Sequence, residues 1–115
     1  NSSSLYISGG AELLPSGERI ISKVSDALNE LSFYNFRVDI EGHTDNVPIN
    51  TLRFPSNWEL SHARALEVVK FFIQQGIPAD KLSANGYGEH QPISLGSSPE
   101  DLKLNRRIEL KITQR

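Results

Sequence analysis

The sequence predicts an α/β (α+β) domain in the order β-α-β-α-β-(short α)-β, with helices packed on a mixed four-stranded sheet. Three observations carry that prediction. Phe36, Val38 and Ile40 alternate with Arg37, Asp39 and Glu41, the pattern of a strand with one buried face. Ile108, Leu110 and Ile112 alternate in the same way near the end of the chain. Between and before these runs lie two stretches with apolar residues at helical spacing, so strands and helices interleave.

Taken in order, Leu5-Tyr6-Ile7-Ser8 is a short strand candidate closed by Gly9-Gly10. Pro15-Ser16-Gly17-Glu18 opens a helix whose apolar positions are Ile20, Ile21, Val24, Ala27, Leu28 and Leu31. The strand at Phe36–Ile40 runs directly into Gly42-His43-Thr44-Asp45. A loop with two prolines follows, from Asn46 to Pro55. Ser56-Asn57-Trp58-Glu59 then reads as a capping box, with Pro55 and Leu60 set to form a hydrophobic staple. That helix is predicted to run to about Gln75 and to stop at Gly76, with Pro78 beyond.

At about 100° per residue, Trp58, Ala65, Val69 and Phe72 share one face of this helix, and Glu59, Glu67, Lys70 and Gln74 share the opposite one. Asn57, Ser61 and Arg64 form a border stripe at i, i+4 and i+7. Leu82-Ser83-Ala84-Asn85 is a further strand running into Gly86-Tyr87-Gly88. Ser98-Pro99-Glu100-Asp101 marks the start of a short helix reaching about Leu104.

The chain reads as one domain spanning residues 1–115, with residues 1–4 as a flexible lead. It has 37% hydrophobic and 23% charged residues, which suits a globular domain. Its net charge of -2, with basic residues alternating with acidic ones, excludes nucleic acid as the expected partner. Cysteine is absent, so no disulfide framework and no thiolate metal site is available. No apolar run approaches the ~20 residues that span a bilayer. The chain opens on Asn1-Ser2-Ser3-Ser4 and contains no methionine, the expected look of a piece cut from something longer.

Catalytic patterns are weak. His43 and Asp45 project to one side if the strand persists, but His62 has no histidine one turn on, so the spacing usual for zinc is missing. A metallohydrolase using His43 and Asp45 is therefore the weaker alternative, and no metal or cofactor is expected. No serine sits in a nucleophile elbow, and nothing brings Asp45 and Glu89 together as a carboxylate pair.

Binding chemistry is better supplied. Asp45, Asn57, Ser61, Arg64 and one of Arg106-Arg107 would form a polar pocket if the strand end adjoins the helix start. On alternation, Arg106 and Arg107 face opposite sides of the sheet, so that one joins the pocket and the other stays solvated. A carboxylate and a guanidinium so placed fit a ligand carrying both an ammonium and a carboxylate. For each arginine taken alone, an ordinary structural salt bridge is the default reading.

Asp39-Ile40-Glu41-Gly42-His43-Thr44-Asp45, Leu60-Ser61-His62-Ala63-Arg64-Ala65, Gly86-Tyr87-Gly88-Glu89 with Pro92, and Asn105-Arg106-Arg107-Ile108-Glu109 occur in that order. Together they resemble the OmpA-like peptidoglycan-binding domain, and Ser8-Gly9-Gly10-Ala11-Glu12-Leu13 is similar to that family's first turn. The stretch Asn46-Val47-Pro48-Ile49 through Ser56-Asn57-Trp58-Glu59-Leu60-Ser61 resembles the MotB-like branch, the wall-anchoring subunits of flagellar stators.

The resemblance implies a non-catalytic module that binds the diaminopimelate-bearing peptide stem and adjoining sugar of peptidoglycan. It implies ligand contacts at Asp45 and Arg64, and more loosely at Thr44, Asn57 and Arg106. It implies a place in the periplasm or cell-wall space, tethered to the cytoplasmic membrane, with a stator A-type membrane subunit as partner and a homodimeric assembly. An outer-membrane protein or lipoprotein tether of the same fold is the alternative parent.

Overall fold

The computed structural model describes residues 5–31 and 35–114, so the expected lead at residues 1–4 lies outside the described residues. Three helices and three strands alternate: α1 (Pro15–Glu30), β1 (Phe36–His43), α2 (Asn57–Gln74), β2 (Leu82–Gly86), α3 (Pro99–Asn105) and β3 (Arg107–Gln114). The sheet has the order β2-β1-β3. β1 runs parallel to β2, with Ile40 beside Ala84, and antiparallel to β3, with Glu41 opposite Glu109. The mixed sheet is as expected, but among the described residues it has three strands rather than four.

The missing strand is accounted for by Leu5–Leu14, which pairs with itself. Tyr6 bridges only to Leu13, Ile7 N–H donates to the Glu12 carbonyl (3.0 Å), and Leu14 N–H to that of Leu5 (2.7 Å). Gly9, with φ of 67°, supplies the reversal. The described arms thus bond to each other and not to a strand of the sheet. The Tyr6 hydroxyl donates to the Arg64 carbonyl (2.6 Å), docking this segment onto α2.

The core lies on one face of the sheet. Val38 and Ile40 meet Ala65, Val68 and Phe72 of α2, all fully buried, with Ile21 and Leu28 of α1 beside them. α2 lies across β1 and β2, and α1 packs against α2. Ile112 of β3 is therefore half-exposed, at the edge that the helices do not cover. The other face is polar, carrying Arg37, Asp39, Glu41 and His43.

Trp58 departs from the expected helix face: it is half-exposed and stacks on His90 at 4.6 Å. The strands explain why. Gly42 and Gly86 lie at the ends of β1 and β2, opposite Ser61 and His62, so the first turn of α2 overhangs the sheet.

Ser56 caps α2, but not through the expected capping box. Its hydroxyl accepts from Trp58 N–H (3.2 Å) and donates to the Glu59 carboxylate (2.7 Å), so the two side chains meet each other instead of making the reciprocal bonds with the backbone. The staple is different: Leu60 packs with Phe54 and Ala11, and Pro55 is exposed. A turn closed by Thr51 and Phe54 directs the phenyl ring inward. Gly76, at φ of 98°, ends α2, and Ser98 with Asp101 makes a full capping box on α3.

The approach of sheet to helix is close enough to test. A Cβ on Gly42 would stand 2.2 Å from the Ser61 carbonyl oxygen, and one on Gly86 would stand 2.6 Å from the His62 nitrogen. Neither obstacle is a flexible side-chain end. Gly42→Ala and Gly86→Ala are each expected to cost about 1–3 kcal/mol through overpacking. Urea unfolding checks this, as a lowered midpoint at unchanged m-value.

Candidate functional site

The site sits where β1 ends beside the start of α2. β1 stays paired past its last residue: Tyr87 N–H donates to the Gly42 carbonyl (3.0 Å) and Thr44 N–H to that of Gly88 (2.9 Å). Ser61, fully buried, ties this junction to α2 by accepting from Gly88 N–H (3.0 Å) and donating to the Trp58 carbonyl (3.0 Å). The chain thus leaves the sheet at a set angle, and Asp45 emerges beside the Asn57–Arg64 stripe.

Asp45 is buried and doubly engaged. One carboxylate oxygen accepts from Val47 N–H (3.0 Å), and the other from Arg106 Nη1 (2.6 Å). Asn57 Nδ2 braces the same loop through the carbonyls of Val47 (3.1 Å) and Asp45 (3.4 Å), and reaches Glu89 at 3.5 Å. The Thr44 hydroxyl donates to the Asp45 carbonyl (2.8 Å).

Arg64 is only 7% exposed. Its Nε donates to the Gly10 carbonyl (2.9 Å), and its guanidinium lies over the Tyr6 ring, 4.9 Å from the centroid. Among the described residues no carboxylate forms a salt bridge with it, and its Nη atoms have no hydrogen-bond partner. Burial pushes its pKa below the ordinary arginine value, as does the positive charge of Arg106, with Tyr6 and Asp45 opposing. Arginine remains charged regardless, so a buried cation here lacks a counter-ion of its own.

Asp45, Arg64, Thr44, Asn57 and Arg106 all line one cleft of about 340 Å³, together with Ser8 and Gly9. Its other wall is Val47-Pro48-Ile49 with Leu60. Its size falls in the range of small-ligand sites. The Gly10 carbonyl and the Tyr6 ring were not legible as parts of the site, because they arrive on the self-paired segment; the Ser8-Gly9-Gly10 turn was the available signal.

Arg107 is not solvated as the alternation implied. It is better covered than Arg106, donating from Nε to Glu109 (2.5 Å) and from Nη2 to the Gln91 carbonyl (2.9 Å). Asn105 creates this difference. Buried in the last turn of α3, it accepts from Ile93 and Ser94 N–H and donates to the Ser94 carbonyl. The loop so gathered supplies the carbonyl that Arg107 meets.

His43 and Asp45 do not converge. The group of potential metal ligands that does converge is Glu41, His43 and Glu109, on the polar sheet face. His43 is buried there against Tyr87, rings 5.2 Å apart and 10° from parallel.

The chain matches the OmpA family over residues 5–106 and belongs to it. Motility protein B of Helicobacter pylori strain J99 is 34% identical over 116 residues, covering 89% of this chain and 45% of that protein. A crystal structure of a MotB-like protein from Desulfovibrio vulgaris superimposes with a TM-score of 0.91 at 32% identity, covering 99% of this chain and 72% of that one. The cell wall anchor of the type VI secretion system (T6SS) of Pseudomonas aeruginosa gives a TM-score of 0.86 at 33% identity, covering 98% and 76%. The chain spans less than half the length of the curated relatives it matches. Among the described residues, no helix is long and apolar enough to cross a membrane.

Burial, and secondarily Arg107, holds the His43 pKa below the ordinary imidazole value; Glu109 and Glu41 pull the other way. An unfolded histidine titrates near ~6.5. Below that pH the unfolded chain takes up the proton first, so this group contributes stability above about 6.5 that is lost as pH falls toward its folded value. A proton NMR titration is expected to place the His43 midpoint below ~6.5, and a midpoint at or above that value contradicts this account.

Proposed function

We propose that this domain binds peptidoglycan without catalysis, taking the diaminopimelate-bearing peptide stem in the Asp45–Arg64 cleft, and that it anchors a flagellar stator unit to the cell wall. The observation that carries the proposal is the unmatched charge of Arg64, set in the same cleft as the Asp45 carboxylate. Arg64 is buried there, and among the described residues it has no carboxylate partner and its Nη atoms no hydrogen-bond partner. The end group of diaminopimelate carries an ammonium and a carboxylate on one carbon. Its carboxylate suits the guanidinium fork in a bidentate pair, and its ammonium suits the Asp45 carboxylate.

Asp45 keeps capacity for this ligand. A carboxylate has about four lone-pair sites, and Val47 N–H and Arg106 occupy two of them. Arg106 orients the carboxylate, while Thr44 and Asn57 hold the loop that presents it. The remaining cleft wall, Val47-Pro48-Ile49, offers apolar and backbone contacts to the rest of the stem and the adjoining sugar.

The likeness to Motility protein B and the MotB-like structure supports this parent assembly. On this reading the domain works outside the cytoplasmic membrane, as a dimer, with a stator A-type membrane subunit joined through another part of the parent protein. The likeness to the T6SS wall anchor favours a second reading, in which the same cleft tethers a different envelope assembly. The full-length parent sequence separates the two: a single N-terminal membrane helix belongs to a stator, and a barrel or a lipid-attachment cysteine to a tether.

Calorimetric titration with a diaminopimelate-containing muropeptide tests the cleft directly. Binding is expected for the wild type. Asp45→Asn and Arg64→Ala are each expected to weaken it by about tenfold or more, since losing one side of a charge-assisted contact costs about 1.5–3 kcal/mol. A muropeptide with lysine in place of diaminopimelate lacks the terminal carboxylate and is expected to bind as weakly to wild type as the natural fragment does to Arg64→Ala. Full affinity in folded Arg64→Ala would sink the assignment, and unfolding of both variants would reassign the pair to structure.

A further inference from the structure

The polar face of the sheet holds an arrangement that the cleft does not use. Glu41 and Glu109 are cross-strand partners on β1 and β3, so two like charges stand directly opposite each other. Such a pairing is unfavourable unless a cation joins it. His43, two residues along β1 on the same face, is buried, and among the described residues neither ring nitrogen has a hydrogen-bond partner. A buried imidazole left unsatisfied in this way calls for a physical explanation.

Its Nε2 points at both carboxylates, 3.7 Å from Glu41 Oε1 and 3.8 Å from Glu109 Oε2. Those gaps are too long for hydrogen bonds. They suit one ion between the three groups, since zinc takes nitrogen and oxygen donors at about 2.0–2.2 Å and so holds them roughly 3–4 Å apart. One donor atom from each of the three residues lies within 4.8 Å of the other two.

We propose that Glu41, His43 and Glu109 form a binding site for a divalent transition-metal ion of the zinc type, clipping β1 to β3. The donor set, one imidazole and two carboxylates, favours such an ion over calcium or magnesium, which prefer oxygen alone. Neighbouring groups hold the donors in place. Tyr87 stacks on the imidazole and fixes its plane, and its hydroxyl lies 3.5 Å from Glu41 Oε2. Arg107 Nε holds Glu109 Oε2 at 2.5 Å. Orientation of this kind is typical around metal ligands.

Two cations compete with the ion: Arg107 on Glu109 and Lys111, whose Nζ is 3.9 Å from Glu41 Oε1. Neither supplies a partner to His43. A metal does so at Nε2; the ring proton then stays on Nδ1, which has no hydrogen-bond partner among the described residues. The site also bears on the cleft through the chain. His43 lies two residues before Asp45, and Arg107 follows Arg106, so an ion here braces the two strands that deliver the Asp45–Arg106 pair.

The test uses the untagged chain, stripped with a chelator and titrated with zinc ion alone by calorimetry, with thermal unfolding in parallel. One zinc per chain and a raised unfolding midpoint are expected. Cobalt substituted for zinc is expected to give visible ligand-field bands. Glu109→Gln is the primary variant because Glu109 is partly exposed and outside the cleft, and Glu41→Gln is the second. Each is expected to weaken zinc binding by more than about tenfold. The proposal is overturned if folded wild-type protein takes up neither zinc nor cobalt. It is equally overturned if both variants bind as tightly as wild type, or if uptake is lost in His90→Ala and kept in Glu109→Gln.

Discussion

Everything at the binding end of this domain depends on how closely the ends of β1 and β2 approach α2. Gly42 and Gly86 let two strands touch the helix backbone at Ser61 and His62. At that distance the helix cannot rotate or slide without a clash, so the residue order on α2 becomes a spatial order relative to the strand ends. Ser61, buried at the contact, uses its hydroxyl to join helix, strand end and the Gly88 backbone. Asn57 and Arg64 then fall one turn to either side, along the line on which Asp45 leaves the sheet.

The second level is electrostatic. A guanidinium as buried as that of Arg64 normally needs a carboxylate, because a desolvated charge without compensation is costly. Here the compensation is partial, from a carbonyl at Gly10 and the face of Tyr6, while the adjacent carboxylate of Asp45 is held by Arg106. The result is a small field of two cations and one anion around a cleft. On the proposed reading, a ligand bringing its own carboxylate completes it. The self-paired Leu5–Leu14 segment matters for this reason: by giving up a place in the sheet, it becomes a wall of the cleft and the partial solvent of Arg64.

The two faces of the sheet divide the work. One carries Val38 and Ile40 into the core and owes its order to burial. The other is a ladder of charged groups in which His43 is the exception, buried and, among the described residues, with no hydrogen-bond partner for either ring nitrogen. Since β1 and β3 contribute to both faces, any change in their register would disturb the core, the Glu41–Glu109 pair and the Asp45–Arg106 contact together.

How much of this was legible in the sequence follows from the range of the forces involved. Strand alternation, the helix stops at Gly76 and the cap at Ser98 are local effects, and the chain alone determined α1 to α3 and β1 to β3 nearly to the residue. The Gly-His-Thr-Asp run and the Asn57–Ser61–Arg64 stripe were legible because spacing on one strand and one helix sets which residues share a direction. Residues far apart in the chain were another matter. That Tyr6 and Gly10 support Arg64, that Arg107 is covered while Arg106 meets Asp45, that Trp58 overhangs the sheet, and that Glu109 comes to face Glu41 and His43 were all decided by packing. Periodicity records which way a side chain points along its own element. It carries no information on where that element ends relative to its neighbour, and in this protein the ends of the strands decide the chemistry.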